Sequence, residues 1–147
     1  MHTTITVGQV LNTKGHCFWA IAPYETAYHA LEIMAAKDVG ALLVMENGKL
    51  VGMFSERDYA RKVILKGKSS KSTSVRELMT SEPICIGPEQ SIYECMVIMT
   101  SNHVRHVPVM ECGLIKGVVS IGDVVNAIIS DQEITIQELE SYITVGY

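Results

Sequence analysis

One structural unit is written twice in this chain, and that repeat limits the fold more than any other feature of the sequence. Ile21-Ala22-Pro23 returns 65 positions later as Ile86-Gly87-Pro88. The offset holds without a gap as far as Asp58 and Asp123. Along it Tyr28 aligns with Tyr93, Ile33 with Ile98, Met34 with Met99, and Val44-Met45-Glu46 with Val109-Met110-Glu111. Gly48 aligns with Gly113, Gly52 with Gly117, and Ser55 with Ser120. A single unit of this size buries too little surface to be stable alone. Two units packed about a pseudo-twofold axis are therefore expected.

Each copy reads as β-α-β-β-α. A short apolar strand ends at Pro23 or Pro88, and a helix starts near Thr26 or Ser91. Ala27, Ala30, Leu31 and Met34 fall at i, i+3, i+4, i+7, as do Ile92, Cys95, Met96 and Met99. Each helix thus has one apolar face. Ser91-x-x-Glu94 predicts a capping box. Gly40 to Met45 and Val107 to Met110 read as buried strands. Asn47-Gly48 and Cys112-Gly113 supply tight turns, since glycine tolerates positive φ. Leu50 to Phe54 and Ile115 to Val119 return as second hairpin strands, and Tyr59 to Leu65 and Val124 to Ile129 follow as helices. The fold class is α/β in the mixed, α+β sense.

Three segments are expected. Residues 1–66 hold the first repeat and an N-terminal segment, 67–130 a linker and the second repeat, and 131–147 a C-terminal helical segment. The linker from Gly67 to Ser74 is polar and reads as flexible. Its Gly67-Lys68-Ser69 resembles the end of a phosphate-binding P-loop, but that motif needs glycine where Lys62 stands, so an ATPase is rejected. The segment from Asp131 is acidic and amphipathic. Ile134, Leu139 and Ile143 fall toward one side, which is expected to pack on the core or on a second subunit.

Composition narrows the function. A length of 147 residues suits one domain or two small halves. With 48% apolar and 19% charged residues, disorder is excluded. A net charge of −4 argues against sequence-independent binding of nucleic acid. The longest apolar run, Gly40 to Met45, is far short of the ~20 residues needed to cross a bilayer. Met1-His2-Thr3-Thr4 has neither a charged start nor an apolar signal core. A cytoplasmic protein without membrane or nucleic-acid partners is expected. Cys17, Cys85, Cys95 and Cys112 show no C-x-x-C spacing. Three of the four lie in apolar sequence and read as small buried hydrophobes.

Chemistry is suggested by a motif that follows each hairpin: Gly52-Met53-Phe54-Ser55-Glu56-Arg57-Asp58 and Gly117-Val118-Val119-Ser120-Ile121-Gly122-Asp123. The glycine lets something approach the backbone closely. Ser and Asp fall where a strand hands over to a helix. A carboxylate there can accept two hydrogen bonds at once, and a ribose offers two neighbouring hydroxyls. The start of the next helix favours a phosphate. Ser-x-x-Asp is equally a helix-capping signal, and both roles are compatible. No nucleophile-base pair, paired catalytic carboxylates or metal cluster stands out, so the chain reads as non-catalytic.

These residues carry a family resemblance. Gly40-Ala41-Leu42-Leu43-Val44-Met45, Ser55-Glu56-Arg57-Asp58-Tyr59-Ala60-Arg61-Lys62 and Ser120-Ile121-Gly122-Asp123-Val124-Val125 resemble the phrases of stand-alone CBS-pair proteins, or Bateman modules. The likeness covers nearly the whole chain. It implies a regulatory, energy-sensing module that binds adenine nucleotides in clefts between the repeats. AMP is the leading ligand, with ADP, ATP, NAD(H) or S-adenosylmethionine as alternatives. It implies that Ser55, Asp58, Ser120 and Asp123 hold the ribose. It extends the nucleotide-binding set to Lys14, Trp19, Ala41, Arg57, Ile84, Ile86, Arg105, His106, Pro108, Ile121 and Gly122. It further implies a homodimer and a regulated protein of unknown identity. The competing reading is an interaction or oligomerisation module that has lost its ligand.

The basic residues divide unevenly between the copies. Arg57 lies in the first motif, where the second has Gly122; Arg105-His106 precedes the second hairpin, where the first has Gly40-Ala41. Arginine matches phosphate oxygens with planar donors. Arg57, Arg105 and His106 are therefore expected to converge on the phosphates. The first copy also carries extra residues around Lys14-Gly15-His16, just before Trp19, the only tryptophan. Trp19 can stack on a base or serve as ordinary packing.

Overall fold

A computed structural model describes residues 4–145, without the side chains at 135, 138 and 141–145. Met1, His2, Thr3, the side chain of Ile143 and the last two residues of the C-terminal segment lie outside the described residues. The elements in order are helix α1 (Val7–Lys14), strand β1 (Ala20–Ile21), helix α2 (Ala27–Lys37) and the hairpin β2 (Ala41–Glu46) and β3 (Lys49–Ser55). Helix α3 (Glu56–Tyr59) follows and continues as a π-helical turn over Ala60–Ile64. Then come α4 (Val75–Leu78), β4 (Thr80–Ser81), α5 (Ile92–Asn102), β5 (His106–Glu111), β6 (Leu114–Ser120) and α6 (Ile121–Val145). The architecture is α+β, as expected.

Residues Phe18–Ile84 form one compact unit; the chain up to Cys17 and from Cys85 onward forms the other. These boundaries differ from those drawn on the sequence. Helix α1 precedes the first repeat but is buried with the second, through Val7 and Leu11 at 1% exposure each. Helix α4 precedes the second repeat but is buried with the first, through Val75 and Leu78. The backbone shows why. Val7 N–H donates to Gln90 O and Gly8 N–H to Pro88 O; Val75 N–H donates to Glu25 O and Arg76 N–H to Pro23 O. Each short helix thus has its first N–H groups satisfied by the turn ahead of the long helix in its own unit. Burying one such Val or Leu contributes about 1.5–3 kcal/mol.

The two cores match position by position. Ile21, Ala30, Met34, Val44 and Phe54 fill one. Ile86, Cys95, Met99, Val109 and Val119 fill the other. In the first unit β1-β2-β3-β4 form a sheet, with β1 parallel to β2. In the second, β5-β6 pair, and Ile86 forms a parallel bridge to Val109 where β1 would lie. Both hairpins turn as the sequence predicts. Asn47-Gly48 (φ 53° and 75°) and Cys112-Gly113 (φ 53° and 76°) occupy two-residue loops, the geometry that suits the strand twist.

Several local expectations change. The helices after the hairpins start earlier, directly after Ser55 and Ser120, because those serines cap them. Ser91 accepts from Glu94 N–H, but the Glu94 carboxylate takes the Gln90 amide instead, so only half of that capping box forms. Only Cys95 is buried; Cys17, Cys85 and Cys112 are exposed. The linker is anchored rather than loose. Ala27 N–H donates to Thr73 O and Tyr28 N–H to Ser70 O, which leaves Thr73 at 6% exposure. The C-terminal segment continues α6 without a break. Asp131 at 5% exposure accepts the Tyr93 hydroxyl at 2.6 Å, and that bond raises the Tyr93 pKa. Beyond it, every described side chain from Gln132 to Glu140 is exposed.

Candidate functional site

In the unit of the second repeat, strand β6 hands over to α6 at Ser120. His106 stands opposite Ser120 on β5, and Ile121 N–H donates to Arg105 O at 2.8 Å. Ser120 and Asp123 cap one another. Ser120 N–H donates to Asp123 Oδ2 at 2.8 Å, and Asp123 N–H donates to Ser120 Oγ at 3.2 Å. The same Oδ2 accepts from Lys14 Nζ at 2.6 Å, and Lys14 also donates to Val118 O at 2.9 Å. Oδ2 of the Asp123 carboxylate thus accepts from both the Lys14 ammonium and the Ser120 N–H. Burial pushes the Asp123 carboxyl up, but the Lys14 ammonium and the Ser120 N–H outweigh it and hold the pKa below the usual range. His106, half-buried, is held below the ordinary histidine value by burial and then by Lys14 and Arg105, against the pull of Asp123.

The first repeat builds the same junction with different neighbours. Ser55 N–H and Oγ–H donate to Asp58 Oδ2 at 3.0 and 3.1 Å, and Asp58 N–H donates to Ser55 Oγ at 3.3 Å. This is a complete capping box. Glu56 N–H donates to Gly40 O, the counterpart of the Ile121 bond. Ala41 stands opposite Ser55 where the other unit has His106. An ammonium is again present. Lys62 Nζ lies 3.4 Å from Asp58 Oδ1 and donates to Leu78 O at 2.9 Å. Lys62 aligns with Ala127, so each carboxylate receives its lysine from an unrelated place in the sequence. Lys62 stands outside the expected site residues, although a cation at i+4 from Asp58 is a readable signal.

The motif glycines act on the protein's own chain. A Cβ at Gly52 would meet the Met79 sulfur and come within 3.0 Å of Thr80 O; one at Gly117 would come within 3.0 Å of Leu11 Cδ2. The close approach anticipated for a ligand is made by the segments around α4 and α1.

The other expected residues are distributed as follows. Lys14, Arg105, His106, Ser120, Ile121, Gly122 and Asp123 share one unit. Ile121 and Gly122 are exposed at the start of α6. Ile86, at 2% exposure, and Pro108 are buried in that unit. Ser55, Arg57, Asp58, Ala41, Trp19 and Ile84 belong to the other unit. Trp19 is 40% exposed and carries the Lys37 ammonium over its ring, 4.5 Å from the centroid. Ile84, its repeat counterpart, is 41% exposed. Among the described residues no three His, Cys, Asp or Glu side chains gather as metal ligands, and no helix is long and apolar enough to cross a membrane.

Each junction is thus a carboxylate held in place by the helix start, with a cation beside it and a strand-end residue opposite. Such an arrangement can accept hydroxyl donors and attract anions. The family model described as "CBS domain" matches residues 16–65 and 75–130. The mitochondrial CBS domain-containing protein CBSX3 of Arabidopsis thaliana is 40% identical over 97% of this chain and 73% of its own length. The CBS-domain crystal structure of NE2398 superposes with a TM-score of 0.82 at 41% identity, covering 86% of this chain and 99% of that one. A CBS domain pair in complex with 5′-methylthioadenosine and S-adenosyl-L-methionine has a TM-score of 0.77 over 88% of this chain and 99% of its own. At 19% identity it shares the fold alone.

Proposed function

The chain belongs to the CBS-domain family, and from that premise we propose that it is a non-catalytic regulatory module that binds an adenine nucleotide through its two Ser-x-x-Asp junctions. AMP is the leading ligand, with ADP, ATP, NAD(H) and S-adenosylmethionine as the alternatives. In this reading Asp58 and Asp123 accept the ribose hydroxyls, Ser55 and Ser120 stand beside them, and Arg57, Arg105 and His106 take phosphate. Lys14, Trp19, Ala41, Ile84, Ile86, Pro108, Ile121 and Gly122 complete the binding set. The module works in the cytoplasm as a homodimer and passes its state to a regulated protein.

The observation that carries the reading is the Asp123 carboxylate. Its oxygen Oδ2 holds both the helix cap and the Lys14 ammonium, and the side chain stays open to solvent at 22% exposure. A group that only capped the helix would not need the Lys14 ammonium on it as well, with a half-buried His106 opposite Ser120. The fold neighbour that holds two adenosine derivatives has the same architecture. The Arabidopsis relative is described as mitochondrial, which is a statement about that protein.

The test is a thermal-shift screen with AMP, ADP, ATP, NADH and S-adenosylmethionine. A ligand that binds only the folded state raises Tm by mass action, by about 2.7 kcal/mol of stability at a hundredfold excess over Kd. The expected result is a concentration-dependent rise with at least one of these. No shift with any of them would favour the interaction-module reading.

A further inference from the structure

Lys14 is placed where it can read the charge of whatever occupies the Asp123 junction. In the structure its ammonium is committed to Asp123 Oδ2 at 2.6 Å and to Val118 O at 2.9 Å. The carboxylate is 22% exposed and the lysine 35% exposed, so the pair is reachable from solvent. Arg105 stands next to His106, and both Lys14 and Arg105 bias His106 toward its neutral form. The Lys14–Asp123 pair thus lies at the junction where His106 stands opposite Ser120.

This inference rests on the adenosine-ligand reading above. A ribose that donates both hydroxyls to Asp123 meets an oxygen, Oδ2, that already accepts from Lys14 and from the Ser120 N–H, so it competes with Lys14 there. An ammonium displaced from its carboxylate recovers a charge-assisted bond when the incoming ligand brings an anion of its own, and otherwise returns to water. A ligand with a 5′-phosphate provides one. Neutral adenosine does not, and a sulfonium adds like-charge repulsion. We infer that Lys14 makes the Asp123 junction selective for adenosine ligands that carry negative charge, by moving from the carboxylate to the ligand's phosphate, and that it disfavours cationic ones such as S-adenosylmethionine.

The other junction lacks this arrangement. Lys62 sits on the same helical stretch as Asp58 and approaches Oδ1 at 3.4 Å, and the residue opposite Ser55 is Ala41 rather than a histidine. The discrimination is assigned to Asp123 alone.

Titration calorimetry on the full chain tests it, with AMP, adenosine and S-adenosylmethionine as probes. An Asp58→Asn background, which keeps a side-chain oxygen for the Ser55 N–H, confines the measurement to Asp123. The expected order of affinity is AMP, then adenosine, then S-adenosylmethionine. Lys14→Gln should reduce the AMP-to-adenosine ratio about tenfold, the lower range for a hydrogen bond to a charged group. Lys14→Arg should restore it. If adenosine or S-adenosylmethionine binds the Lys14 protein as tightly as AMP, the nucleotide reading stands and the charge-reading role is overturned. A ratio unchanged in Lys14→Gln overturns it as well. If none of the three binds either protein, the Asp123 junction takes none of these adenosine ligands and this inference is overturned, while the nucleotide reading is decided by the thermal-shift screen with the full ligand set.

Discussion

Lys14 Nζ meets Asp123 Oδ2 at 2.6 Å across 109 positions of sequence. At the matching junction Lys62 meets Asp58 from only four residues away, at 3.4 Å. The two halves of the repeat thus give equivalent carboxylates a cation by separate routes. One comes from a helix ahead of the other repeat, and one from the carboxylate's own helical stretch. The repeat does not predict this, because Lys62 aligns with Ala127 and Lys14 sits in the stretch with extra residues.

Asp58→Ala and Asp123→Ala should each weaken AMP binding by roughly ten- to a hundredfold, the effect of losing a charged acceptor. Each also removes half of a helix cap and should cost about 0.5–2 kcal/mol of stability. Calorimetry and thermal melts on the same samples separate the two effects. A double mutant that binds AMP like the wild type would leave these carboxylates with capping alone.

Arg105→Ala should weaken AMP binding far more than adenosine binding, since adenosine has no phosphate to lose. A folding defect would weaken both alike. The measurement is the ratio of the two affinities in wild type and mutant, and a constant ratio removes Arg105 from the phosphate set.

Stability should fall as the pH drops below about 6.5, the unfolded value for His106. Burial, Lys14 and Arg105 depress its folded value, with Asp123 opposing. Between the folded and unfolded values the unfolded chain binds a proton that the folded chain does not. The folded state therefore loses stability as acid is added across that window, and keeps it in full above the window. His106→Gln should flatten this part of the profile. Urea unfolding from about pH 7.5 to about pH 5 is the check, and an unchanged slope in the mutant would assign the dependence to another group.

Gly52→Ala should destabilise the fold by about 1–3 kcal/mol, because a new Cβ has no room beside Met79 and Thr80. The companion change Met79→Ala should recover part of the loss by clearing the side chain. Denaturant melts of both single mutants and the double mutant measure the coupling. Strictly additive effects would mean that Gly52 is not needed for that close approach.

A symmetric homodimer is the expected assembly in solution, with exposed apolar helix residues such as Val97 and Ile129 available for it. Sedimentation equilibrium at micromolar concentration reads the mass. A single species at the chain mass of 16.2 kDa would count against the dimer.

The sequence by itself determined whatever depends on neighbours along the chain. The offset of 65 residues placed both long helices and both hairpins, since helix faces and tight turns are set by spacings of a few residues. Asn47-Gly48 and Cys112-Gly113 adopt the positive φ that a two-residue hairpin loop requires. The Ser-x-x-Asp junctions cap their helices as the spacing implies. Only the tertiary structure decided what distant segments contribute. Helix α1 has just eight residues and α4 four, too short to be stable or conspicuous without a partner. Their fixed places come from apolar side chains and backbone N–H groups met by remote turns, with Thr6 bridging Ser91 and Ser74 bridging Thr26. That placement makes Gly52 and Gly117 packing positions. It also carries Lys14 to Asp123, a partnership that arises from long-range burial and leaves no local pattern in the sequence.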